Sequence, residues 1–251
     1  MWISHLYNST SSCLFGSDQP ESEGYVTAAF ANFTAALIGT LTAKVLHKAC
    51  SSMGNNAQLN NRNLTVTSDT TRENANSGPK SLDFSNNKFT VTPDVCGCPS
   101  LERLDLSLND LTTPPNLDQN PKLHTLKMNH NSFRTPPNLS QNPNLSVLLL
   151  SENQLISPPD VSGNPDLELL YLNKNQINKC PNVENNKELV FLDLSYNELR
   201  ELDDSILSLP SNCKVQVWGN SFTPAYIQEF LEKLLEHQLT YRGEGPTVYF
   251  G

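Results

Sequence analysis

The chain has 251 residues, room for one folded array with capping segments at its ends. It carries 17 Lys and Arg against 26 Asp and Glu, a formal charge of −9. That balance argues against nucleic acid or an anionic membrane surface as the partner, since both are held by clustered cations.

Residues 1–24 are polar and serine-rich, with Asp18, Glu21 and Glu23 near their end. They hold neither a basic stretch nor an early apolar core, so they do not read as a standard secretory signal, and we expect them to be disordered. Tyr25 to Ala43 contains no charge. Within it and just beyond, Val26, Phe30, Phe33, Leu37, Leu41 and Val45 recur at helical spacing on one face. The spacing predicts an amphipathic helix within residues 25–50 that covers one end of the fold. The alternative is a membrane segment through Tyr25–Val45, with Lys44, His47 and Lys48 marking its cytoplasmic side. Residues 51–78 form a polar linker, in which Asn63 to Thr67 could add one short strand.

From Pro79 a 22-residue unit repeats: PKSLDFSNNKFTVTPDVCGCPS, LERLDLSLNDLTTPPNLDQNPK, LHTLKMNHNSFRTPPNLSQNPN, LSVLLLSENQLISPPDVSGNPD, LELLYLNKNQINKCPNVENNKE and LVFLDLSYNELRELDDSIL. A divergent copy, CKVQVWGNSF, starts at Cys213. Asn87, Asn109, Asn131, Asn153, Asn175, Asn197 and Asn220 mark the register. This is the LxxLxLxxNxL pattern of leucine-rich repeats. Two apolar residues separated by one, such as Leu104 and Leu106, share one face of a short strand. The asparagine follows where the chain leaves the strand, and its amide can satisfy backbone groups stranded by that turn. The second half of each unit carries Pro-Pro and Asn-Pro pairs that exclude helix and central strand. The fold class is therefore α/β: a leucine-rich-repeat solenoid over residues 79–222 with a parallel concave sheet and a proline-rich, turn-like convex side. A stack needs closed ends, and we expect a capping helix at each. At the C-terminus DDSILSLPSNC offers a short helical turn. Thr223 then caps a helix over residues 223–239, with Pro224 at its first position. Tyr226, Ile227, Phe230, Leu231, Leu234 and Leu235 form its sealing stripe. Residues 240–251 give no signal.

The cysteines do not form a framework. Cys98 stands where other units have Asn120, Asn142, Asn164 and Asn186, and Cys180 where they have Pro114, Pro136 and Pro158. We expect free thiols and no metal or other cofactor. The five Asn-x-Ser/Thr sequons read as coincidence in so Asn-rich a chain. Asp83 and Asp105 are paired carboxylates on neighbouring coils, but with Lys127 next in line they read as a charge-balanced row. His124 and His130 have no nucleophile and orienting acid in register. We expect no enzyme.

The C-terminal segment SLPSNCKVQVWGNSFTPAYIQEFLEKLL resembles the end of the repeats in bacterial type III secreted leucine-rich-repeat effectors. Leu209-Pro210, Cys213, Val215, Gly219-Asn220 and Phe222-Thr223 carry the resemblance, and Ser221 replaces the usual proline. It implies a recognition domain exported to the cytoplasm of a host, without the ubiquitin-ligase domain of one branch of that family. The alternatives are the substrate-recognition part of a ubiquitin ligase and a membrane-tethered scaffold; without export the chain is cytoplasmic.

The sheet itself suggests where a protein partner would dock on a monomer. Between and beside the core leucines, Val147, Leu149, Leu169, Tyr171 and Phe191 fall on adjacent strands at positions the core does not need. Arg103, Asp105 and Lys127 border them on one side and Asp193 on the other, with Trp218 in the last copy completing the candidate set. An apolar centre inside a polar rim is the composition of a protein interface.

Overall fold

The computed structural model describes residues 41–42, 56–58, 66–67, 79–241 and 245–251, all within one unit of the chain, residues 39–251. Each repeat contributes one three-residue strand and one turn-rich return. In chain order the strands are β1 (Leu41–Thr42), β2 (Asn56–Gln58), β3 (Val66–Thr67), β4 (Ser81–Asp83), β5 (Arg103–Asp105), β6 (Thr125–Lys127), β7 (Val147–Leu149), β8 (Leu169–Tyr171), β9 (Phe191–Asp193) and β10 (Lys214–Gln216). A 3-10 turn, Asp204–Ser208, precedes β10. The helix α1 (Pro224–Thr240) and the strand β11 (Thr247–Tyr249) follow it. Nine strands form one parallel sheet in the order β11-β10-β9-β8-β7-β6-β5-β4-β2.

The register repeats the sequence period. Leu82, Leu104, Leu126, Leu148, Leu170, Leu192 and Val215 lie side by side across the sheet. All seven are buried, and each coil adds further buried residues, as Leu101, Leu106, Leu111 and Leu117 do around Leu104. A single coil cannot enclose these side chains; contact with the next coil does. The second proline of each pair, Pro115, Pro137 and Pro159, is buried on the return side, where its missing N–H leaves no donor to satisfy.

The register asparagines close the turns. Asn131 donates through Nδ2 to the carbonyls of Leu106 and Met128 and accepts from the Leu111 N–H. Asn153 does the same with Met128, Leu150 and Phe133. Each amide thus ties its own coil to the preceding one. The residue before each asparagine is left-handed: Asn86, Leu108, His130, Glu152, Lys174 and Tyr196 all have φ between 52° and 58°, and Gly219 has φ 71°. Non-glycine residues hold this conformation because backbone bonds on both sides fix it. The N–H of Leu108 donates to Asn129, and the carbonyl of Leu108 accepts from Asn87.

Several expectations change. Leu41–Thr42, inside the stretch expected to be helical, is a strand paired with β3. The rest of the expected helix over residues 25–50 and the whole of 1–24 lie outside the described residues. The strand expected at Asn63 to Thr67 is β3, but it pairs with β1, and the nine-stranded sheet is extended instead by Asn56–Gln58. The membrane segment at Tyr25–Val45 is corrected: no helix among the described residues is long and apolar enough to cross a membrane, and the part of that segment described is sheet.

At the C-terminus Thr223 accepts from the Tyr226 N–H and caps α1, with Pro224 in its first turn. Only half of the expected stripe seals the stack. Phe230 and Leu234 are buried, whereas Leu231 and Leu235 are 44% and 58% exposed. The missing closure comes from the tail that gave no signal. Residues 247–249 pair in parallel with β10, so that Val248 continues the leucine row beyond Val215. Phe250 packs edge-on against Phe222 and Phe230.

Candidate functional site

Each strand of the central sheet buries its middle residue and turns its flanking residues to the opposite face. On that outer face Val147, Leu169 and Phe191 form one row and Leu149 and Tyr171 a second, all five half-buried on three adjacent strands. The rings of Tyr171 and Phe191 stack across the strand boundary at 5.0 Å, with 30° between their planes. The structure therefore brings together the five apolar residues picked from sequence.

The rim is polar but its members differ. Arg103 is exposed, and Lys127 reaches Asp105 at 3.6 Å. With Ser81, Asp83 and Thr125 they line a hollow of about 310 Å³ beside the apolar strip. Asp83 and Asp105 are register neighbours, and each accepts a backbone N–H, from Ser85 and Ser107. Those bonds turn the chain out of the strand, so this carboxylate pair has a structural task. Asp193 departs from the expected rim. It is 7% exposed and accepts from both the N–H and the hydroxyl of Ser195. A carboxylate held that way is part of the turn.

Trp218 lies apart from the strip, beside the turn after β10, and meets Tyr196 edge-on at 4.5 Å. Tyr196 was not singled out in the sequence. It occupies the left-handed position before Asn197, which throws its side chain outward, 48% exposed. Tyr249 of β11, 45% exposed, is register partner to Gln216 and adds a further aromatic at the same end of the sheet. The signal available was the alternation in Thr247-Val248-Tyr249-Phe250, which places valine and phenylalanine in the core phase.

Along the left-handed row, Glu152 is a hub: Lys174 lies 2.6 Å and His130 2.8 Å from its carboxylate. The hydrogen bond from Lys174 holds the Glu152 carboxyl below its usual range, and the same bond raises Lys174. The Glu152 carboxylate is thus the group that His130 faces. Burial pushes the thiols of Cys180 and Cys213 up to about 12, so neither is a nucleophile at neutral pH. Among the described residues no group of His, Cys, Asp and Glu is placed to hold a metal ion.

Residues 97–114 match a family model for a leucine-rich repeat. No curated protein matches the chain. Among solved structures it is similar to a leucine-rich-repeat domain of a Shigella effector, with 24% identity, TM-score 0.60, and coverage of 78% of this chain and 81% of that one. A leucine-rich-repeat protein of Leptospira interrogans is 23% identical with TM-score 0.61, over 82% of this chain and 51% of the other. A plant peptide hormone receptor is 19% identical with TM-score 0.56, over 75% and 36%. The chain thus spans about half of the second protein and about a third of the third. Relatives this diverse share the fold, which is a leucine-rich-repeat solenoid.

Proposed function

We propose that this chain is a non-catalytic recognition module that grips a protein partner on the outer, concave face of β7, β8 and β9. One observation carries the reading. The stacked Tyr171–Phe191 pair lies half-buried at the centre of an apolar strip that the core does not require. Aromatics in such central positions dominate binding energy because they bury much area at little conformational cost. Val147, Leu149 and Leu169 extend the strip, and Arg103, Asp105 and Lys127 supply the polar border that fixes orientation.

The setting we propose is that of an exported bacterial effector acting on a host protein. Its support is the Leu209 to Leu235 segment together with the likeness in fold to the Shigella effector domain. Replacing Tyr171 and Phe191 together by alanine is expected to cost roughly 2–4 kcal/mol of partner affinity with the melting temperature preserved. The check is affinity capture from host lysate, wild type against double variant, followed by calorimetry with the recovered protein. Equal recovery by both would remove the sheet face from consideration. Export is tested separately by fusing residues 1–24 to a reporter in a type III-competent host, where retention of the reporter inside the cell refutes it.

A further inference from the structure

We infer that the outward flank of α1 is a second docking site, distinct from the sheet face, and that its occupant is an amphipathic helix of a partner protein with an apolar ridge and a basic flank. The cap function of α1 is discharged on its other side, where Phe230 and Leu234 are buried, Tyr226 stacks on Phe222 and Phe230, and Phe250 completes the seal. Leu231, Leu235 and Leu239 take no part in that seal. They are 44%, 58% and 75% exposed, and they follow each other at intervals of four, so they form one straight ridge on the surface. Leu231 and Leu235, with Pro224, Ile227, Gln228 and Glu232, border a hollow of about 470 Å³. Leucines at this spacing normally face a core.

Two features select the occupant. First, the ridge is a helix surface. An extended segment laid on its leucine side chains would find no backbone partner there for its N–H and C=O groups, whereas a helix satisfies them internally. Ridges spaced by four also interlock with the same ridges of another helix. Second, the border is acidic. Glu232 and Glu236 follow the leucines on the side away from the core, with Glu229 behind them; Lys233 is turned from the ridge and lies between Glu229 and Asp204. In a chain of charge −9, that border favours Lys or Arg on the partner and disfavours a second copy of α1, which would bring like charges together.

The test uses the full chain and two synthetic helical peptides with the same leucine ridge, one flanked by lysine and one by glutamate. Fluorescence anisotropy is expected to show binding of the lysine-flanked peptide alone. Leu231→Gln with Leu235→Gln, both at exposed positions, should weaken it about a hundredfold, with the melting temperature unchanged. Glu232→Lys with Glu236→Lys should exchange the preference between the peptides. The Tyr171 and Phe191 alanine variant should bind as wild type does, which keeps this site separate from the sheet face. Binding of both peptides alike, binding of neither, or indifference to the leucine substitutions would overturn the inference. Dimerisation of the chain by light scattering that the leucine substitutions abolish would overturn it in favour of a second copy.

Discussion

Two side-chain devices tie coils together, one buried and repeated along the stack, the other exposed and found at Glu152. The buried device is the register asparagine. Asn153 makes good the N–H of Phe133 and the carbonyls of Met128 and Leu150, groups that no strand or helix can reach. Asn153→Ala strands the Phe133 N–H in a dry interior and takes one of two amide donors from each carbonyl, since Asn131 still reaches Met128 and Asn175 still reaches Leu150, at a cost of about 2 kcal/mol. A urea midpoint within error of wild type would show that water reaches the turn. The exposed device is Glu152 between Lys174 and His130. The Glu152 carboxyl is lowered from 4.5 in the fold, so its contribution to stability is present above that value and is lost as pH falls through the lowered one. Lys174 is raised from 10.5, so its contribution is complete below that value and is lost as pH rises past the raised one. The gap in melting temperature between wild type and Glu152→Gln is therefore expected to be widest near neutral pH and to close in acid, as pH falls through the lowered Glu152 value. A gap that persists in acid would assign the effect to packing.

At the scale of elements, what could be read in the sequence was what repeats. Leucine period, asparagine register and proline pairs each recur at a fixed step, so strand positions, core and the sheet-face strip followed from arithmetic on residue numbers. What could not be read was what happens once. The pairing of Asn56–Gln58 with β4 rests on three residues of no β preference, and only the neighbouring strand makes them sheet. The tail residues Val248 and Phe250 follow the core phase, yet α1 separates them from Val215 and breaks the period by which they would be recognised. The left-handed row escaped for another reason: Leu108 and Glu152 are residues that avoid positive φ, and they adopt it because flanking hydrogen bonds fix the backbone. Gly219 is the member of that row whose residue type best suits the backbone, followed by Asn86. A Cβ there would lie 2.7 Å from the Tyr196 ring. Gly219→Ala is expected to cost about 2 kcal/mol and to push Tyr196 off Trp218, read as a shift in tryptophan emission. Emission and stability both unchanged would mean that the ring yields freely.

For the whole molecule the question is how far a disturbance at one end travels. In a stack, each coil contacts only its neighbours, so stability is built from coil terms and interface terms, and the ends are the weakest points. The C-terminal end is closed by three aromatics from three places in the chain: Phe222 in the turn after β10, Phe230 on α1 and Phe250 after β11. Phe250 is half-buried, so Phe250→Ala is expected to cost about 2 kcal/mol. The loss should be local. Among the described residues β11 pairs with β10 alone, while β6, β7 and β8 are held on both sides and by the asparagine amides of the next coil. Hydrogen exchange in the variant should therefore show the amides of Val217 and Thr247, whose acceptors are Tyr249 and Cys213, opening well before those of Phe133 and Leu155, whose acceptors are Asn153 and Asn175. Uniform acceleration across all four amides would show that the solenoid opens as a single cooperative unit and that its end carries information to the sheet face. A gradient confined to the C-terminal coil would instead make the α1 flank and the strip on β7 to β9 energetically independent, able to hold two partners at once without coupling.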